Sequence, residues 1–395
     1  MKTRFLIPVL FLVPMIACQQ KTLQFTAIPV TEEANMWWAR VPADLTGNGL
    51  TDLALQDGNA YGGWLGYLEA VDLHTWEVKV IAETAPGGGT FSCGDLDAGD
   101  IDGDGDIDIL GFEHPGEWDS AGAPTTIYWY SNPEWDPTFI GTAPDFIKDV
   151  NLADLNQDSK LDLVTITYEE SNLKVHRQDS PGTWTTVLDT TVTNLHEGMD
   201  VGDIDGDGDI DIATDGYWIV NPGGDMTGDW QILSIDEKWH NQDGDWSRNA
   251  TKVFCRDINN DGKAEVFISH SERAGYPLAY YQSDDPSSGK WTEHVIKDNF
   301  IAAHTVQVFD FDLDGDYDVL SGVNMNRAKA IGVEDSFPVI IFLNEGEDTW
   351  TEFLLSEGGI YNGQCADIDG DGDIDIFRLP THDDTHFEIL RNLIN

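Results

Sequence analysis

Ten residues, DIDGDGDIDI, occur three times without change, at 100–109, 203–212 and 367–376. Carboxylates on alternate residues, broken by glycine, can wrap one hard cation in oxygen. Calcium takes about six to eight such ligands in a flexible shell. In the copy starting at Asp100, positions 1, 3, 5 and 9 offer the carboxylates of Asp100, Asp102, Asp104 and Asp108, and position 7 the backbone carbonyl of Asp106. Gly105, at position 6, lets the chain turn sharply around the ion. Ile107 and Ile109 are apolar and anchor the loop below. No glutamate stands at position 12 and no helical pattern flanks the loop, so this is not an EF-hand.

Aligning on the first aspartate finds seven copies, starting at Asp44, Asp100, Asp154, Asp203, Asp257, Asp310 and Asp367. Three more copies carry the full set: Asp203, Asp205, Asp207 and Asp211 with the Asp209 carbonyl; Asp310, Asp312, Asp314 and Asp318 with that of Asp316; and Asp367, Asp369, Asp371 and Asp375 with that of Asp373. Two are weaker: Asp154, Asn156, Asp158 and Asp162 with the Lys160 carbonyl, and Asp257, Asn259, Asp261 and Glu265 with that of Lys263. The first copy, with Thr46 and Asn48, binds poorly or not at all. Crowding four carboxylates without a cation is unfavourable, so calcium is expected at about four to six sites; an Asp/Gly turn that needs no ion is the alternative.

These loops need a scaffold that repeats with them. The interval between copies is 49 to 57 residues, a period of one supersecondary unit per copy. Each unit reads as four short strands: an alternating segment before the loop (HTVQVFD, 304–310), a resumption after it, an aromatic strand (TIYWYSNP, 126–133) and a last strand at an aromatic residue (WTEFLL, from Trp350). Turn residues separate them and no helical period appears, which describes a propeller blade. The fold class is therefore all-β, a seven-bladed β-propeller spanning 23–395. After the seventh loop the chain stops one strand short, while an orphan segment, LQFTAIPV (23–30), stands at the other end. It is expected to close the ring as the fourth strand of the last blade.

Seven DxDxDG-type loops in blades of this length resemble the FG-GAP/VCBS repeats of bacterial surface proteins and of the integrin α-subunit propeller. The resemblance implies that the loop between a blade's first and second strands cages calcium, and that the ligand sets above carry over. The family spans adhesion and carbohydrate-active proteins, so it names no activity.

If those loops occupy one face, ligands are expected on the other, built from connections between blades and between second and third strands. Those segments hold Trp37, Trp38, Arg40, Tyr61, Trp64, His114, Trp118, Lys148, His196, Glu197, Trp239, His240, Trp246, Arg248, Lys252, His270, Arg273, His304, Arg327, Lys329, Tyr361, His382 and His386. Aromatic faces stack on sugar rings and Arg or Lys clamps carboxylate or sulfate, so a glycan or surface-protein ligand is expected. Trp37, Trp38, Trp239, His240, Trp246 and Arg248 are the ligand-binding candidates, and the insertion 236–252 is the strongest local one. Trp76, Trp184, Trp230, Trp291 and Trp350 recur in register and read as core. The alternative is an enzyme, a polysaccharide lyase or sugar dehydratase acting on an anionic carbohydrate, with His196 or His304 as base and Arg248 or Lys252 neutralising a carboxylate.

Composition limits the partners. The chain has 395 residues, 41% of them hydrophobic, and 14 Trp, too apolar and aromatic for disorder. Its formal charge is −51, a field that repels nucleic acid and anionic lipid and attracts divalent cations. Halophilic adaptation would spread the acids rather than cluster them. Lys2 and Arg4 precede the apolar run FLIPVLFLVPMIA, too short to span a bilayer. MIAC (15–18) resembles a bacterial lipobox, which makes 1–17 a signal peptide, Cys18 the lipidated residue, 18–22 a tether, and the protein an exported lipoprotein of the cell envelope, at the outer membrane. Cys93, Cys255 and Cys365 remain; they read as buried thiols, with one disulfide open as an alternative.

Overall fold

The computed structural model describes residues 23–58, 62–115 and 122–394. Cys18, Tyr61 and Trp118 lie outside the described residues. No helix among those described is long and apolar enough to cross a membrane.

Seven antiparallel sheets follow one another along the chain as the seven blades of a propeller. Their innermost strands are Arg40–Ala43, Ala98–Gly99, Ile147–Ala153, Met199–Gly202, Thr251–Arg256, Ala303–Phe309 and Gln364–Ala366. In the second blade a further short strand, Thr90–Phe91, pairs with the same neighbour, Asp108–His114. The orphan segment forms Phe25–Thr31, which pairs antiparallel with Phe387–Asn392 and completes the seventh blade. Ile28 faces Ile389 across that pair, and both are buried.

The apolar clusters lie between blades. The in-register tryptophans of the outer strands reach the preceding blade: Trp291 packs edge-on against Trp218 at 6.1 Å, Trp350 against Tyr280 at 6.3 Å, and Trp76 of the first blade against Phe377 of the seventh at 5.9 Å. Cys93, Cys255 and Cys365 are buried and form no disulfide, so that alternative falls away.

All seven acidic loops join first to second strands and so share one face. Within them the carboxylates cap the backbone. Asp100 accepts from the Gly103 and Gly105 amides at 2.8 and 3.1 Å, and Asp104 from that of Asp106 at 3.0 Å. The position 9 carboxylate opens the second strand and is buried; Asp108 accepts from Ile101 N at 3.0 Å and Asn132 N at 2.9 Å. A side-chain amide then ties neighbouring blades. Asn132 Nδ2 donates to Leu45 O in the previous blade's loop at 2.8 Å and to Ile107 O at 3.0 Å. Gln178, Asn221 and Asn392 repeat this clip onto Ile101, Leu155 and Phe311.

Two short helices, absent from the sequence reading, stand in connections on the opposite face: Glu237–His240, capped by Asp236, and Met325–Ala330, capped by Asn324.

Candidate functional site

At the mouth of the central channel, on the face opposite the acidic loops, lies a cavity of about 410 Å³. Trp38, Lys148, Glu197, His304 and Tyr361 line it, and each stands six residues before its own repeat's first aspartate, in five different blades. A propeller brings equivalent positions of its innermost strands onto one circle. One register position therefore builds the floor, with a different side chain from each blade.

Second-strand exits supply the wall. Tyr168 and Asn324 stand fourteen residues after their repeat's first aspartate, and Glu272 fifteen. The helix Met325–Ala330 brings in Arg327, and the insertion brings in Trp246. Trp246 is 51% exposed, and the Arg327 guanidinium lies 4.9 Å from its ring centroid. Trp246, Tyr168 and His196 also line an adjoining cavity of about 220 Å³ that contains Arg248 and Asn249.

Charge is closely matched at the floor. Lys148 Nζ lies 2.9 Å from Glu197 Oε2, Lys252 Nζ 3.6 Å from Glu197 Oε1, and Arg327 Nε 3.0 Å from Glu272 Oε2. Ser271 Oγ donates to Glu197 Oε1 at 2.8 Å. Burial opposes ionisation of Glu197, but Lys148 and Lys252 hold its carboxyl well below the usual range. Burial pushes His196 down to about 4, so its imidazole is neutral at pH 7. The His304 and Tyr361 rings sit 4.3 Å apart, and burial pushes the Tyr361 phenol up. Below them Arg40 is fully buried and donates to the Tyr361 and Asn362 carbonyls, each at 2.5 Å. Lys148, Lys252 and Arg327 thus face the carboxylates of Glu197 and Glu272, while the adjoining cavity holds both Arg248 and Glu169.

Of the ligand-binding candidates, Trp38, Trp246 and Arg248 line these cavities. Trp37, Trp239 and His240 do not, and packing is the reason. Trp37 is buried edge-on against Phe387 and donates to Asp57 Oδ1 at 2.9 Å. Trp239 is wholly buried and donates to the Tyr281 hydroxyl at 2.9 Å. His240 stacks on Tyr217 at 3.8 Å, with Nε2 beside Ser234 Oγ. The insertion thus spends its helix on the core and presents its later half. Of the four catalytic candidates, His196 and His304 share the main cavity, Arg248 stands in the adjoining one, and Lys252 lines the channel below. His114 packs on Phe146, and His270 meets Gln242 Oε1 at 3.0 Å; both are buried outside the main cavity. Tyr168, Glu272 and Asn324 were missed, although their spacing of fourteen or fifteen residues from the repeat's first aspartate could have found them.

On the other face, carboxylate groups able to share an ion occur in four copies among the described residues: Asp100, Asp102 and Asp108; Asp203, Asp205 and Asp207; Asp310, Asp312 and Asp318; Asp367, Asp369 and Asp371. These are the copies with the full aspartate set, and their all-oxygen donors fit calcium. In the copy at Asp154, Lys160 Nζ instead pairs with Asp158. In the copy at Asp367, Arg391 Nη2 lies 2.5 Å from Asp369 Oδ2.

Fold and loops define a seven-bladed β-propeller with one acidic loop per blade. The chain carries FG-GAP-like repeats, and the model of that family matches residues 154–214 and 257–321. Among solved structures it is similar to a lectin from Agrocybe aegerita that specifically recognises non-reducing terminal N-acetylglucosamine, at 19% identity and a TM-score of 0.53, covering 83% of this chain and 81% of the lectin. It is also similar to BBS1N from its complex with ARL6DN, at 12% identity and a TM-score of 0.56, covering 94% and 97%. At these identities the likeness is one of fold. No curated protein matches the sequence.

Proposed function

We propose that this protein is a calcium-stiffened propeller that binds a carboxylated glycan at the channel mouth, as a lipid-anchored component of the bacterial cell envelope. The observation that carries the glycan reading is Trp246, an exposed aromatic between two cavities, one side under Arg327 and the other open. An indole offers a sugar ring a flat apolar face, and the cations around it suit a carboxylate. The likeness in fold to a lectin supports the same class. The four aspartate clusters support the calcium part, and the apolar leader ending in MIAC supports the anchor.

Calorimetric titration with uronate-containing and neutral oligosaccharides tests the reading. The uronate series should bind, and Trp246→Ala should weaken it at least about tenfold with stability unchanged, as expected of an exposed position. Equal binding of neutral and acidic glycans would remove the carboxylate from the proposal, and no binding of either would end it.

One observation favours a second reading, β-elimination on the same ligand. His304 and Tyr361 adjoin in the cavity beside Lys148; an imidazole can take the proton beside a carboxylate that a cation neutralises, with the phenol of Tyr361 as a proton donor next to it. Incubation with uronate polysaccharides, followed by the ultraviolet absorbance of the unsaturated product, separates catalysis from binding.

A further inference from the structure

The side chains at the floor of the cavity leave a gap of definite shape. His304 is 1% exposed, and its Nδ1 faces Asn362 Oδ1 at 3.0 Å. With Nδ1 donating to that oxygen, Nε2 faces Glu272 Oε1 at 3.3 Å and Glu197 Oε1 at 3.7 Å. A lone pair aimed at two carboxylate oxygens is repulsive unless a cation stands between them. All three side chains are buried, and their ligand atoms lie within 4.8 Å of one another.

We propose that Glu197, Glu272 and His304 bind one divalent transition-metal ion, of the zinc, cobalt or manganese class, at the channel mouth. Ligand atoms about 2.1 Å from a tetrahedral ion are about 3.4 Å apart, which the two measured separations bracket. The outer oxygens of both carboxylates are held by Lys148 and Arg327, which fixes the orientation of the inner ones. The imidazole donor separates this site from the acidic loops, whose oxygen-only sets suit calcium. Three protein ligands leave a coordination position open to the cavity, where a carboxylate or hydroxyl of a bound molecule can enter.

The full chain, stripped with chelator and reloaded with calcium to fill the acidic loops, is titrated with Co2+ by visible absorption and with Zn2+ by calorimetry. One equivalent should bind. His304→Ala and Glu272→Gln should each weaken it at least about tenfold, while His74→Ala, at an exposed position, should not. Near-ultraviolet circular dichroism checks that the variants remain folded, and His304→Gln replaces the alanine variant if it does not. Absence of cobalt binding in calcium, or equal affinity in the wild type and these variants, overturns the proposal. No glycan is present in these titrations, so they succeed or fail independently of the glycan reading.

Discussion

His176, on the third strand of the third blade, packs against the second blade's outer strand Asp136–Ala143, where a Cβ on Gly141 would come within 2.6 Å of its ring. Nδ1 meets Thr186 Oγ1 at 3.1 Å, and burial, more than the nearby Lys174, lowers its pKa to about 4. Unfolding returns it to about 6.5. Between those values the unfolded chain binds the extra proton, so this residue's contribution to stability is complete above about pH 6.5 and is lost as pH falls toward 4. Urea denaturation of the wild type and His176→Gln across that range should show the wild type losing up to about 1.4 kcal/mol per pH unit more than the variant; parallel curves would refute it. Side chains of this kind were only partly legible. Trp37 and Trp38 are adjacent and of one type, yet the first packs on Phe387 and the second lines the cavity. What separates them is distance to the repeat's first aspartate: Trp38 shares its register with Lys148, Glu197, His304 and Tyr361. Composition alone cannot supply that distinction.

The blade was the most legible element, because every copy writes the same loop, turns and tryptophan, and local pattern agrees with fold at each repeat. The clip between blades was not. Asn132, Gln178, Asn221 and Asn392 stand at or near the ends of third strands, and nothing in the strand pattern shows that each reaches a carbonyl of the neighbouring acidic loop. Asn132→Ala would leave the buried Leu45 and half-buried Ile107 carbonyls without that donor, and should cost about 1–3 kcal/mol in chemical denaturation. The helix Met325–Ala330 also escaped, since six residues under one asparagine cap are too short to show a helical period. At the closing pair, Ile28→Ala empties a buried position of the seventh blade. A loss of about 2–4 kcal/mol is expected, read as a lower urea midpoint.

Across the whole molecule, 72 acidic residues face 21 basic ones. The two faces divide this imbalance: aspartate loops on one, and Lys148, Arg248 and Arg327 around the mouth of the other. If calcium fills the loops, each site adds about 2.7 kcal/mol to the native state at a hundredfold excess over Kd. Chelation should then lower the melting temperature steeply, and added calcium should restore it; identical melts with and without chelator would defeat the calcium reading. The closing strand bears on the order of events during synthesis. Phe25–Thr31 is the first of these strands to be made, and its partner Phe387–Asn392 the last. Six blades can assemble as the chain emerges, each from its own stretch of sequence. The seventh must wait for the final residues, with its earliest strand unpaired until then, so the ring locks in one late, long-range step.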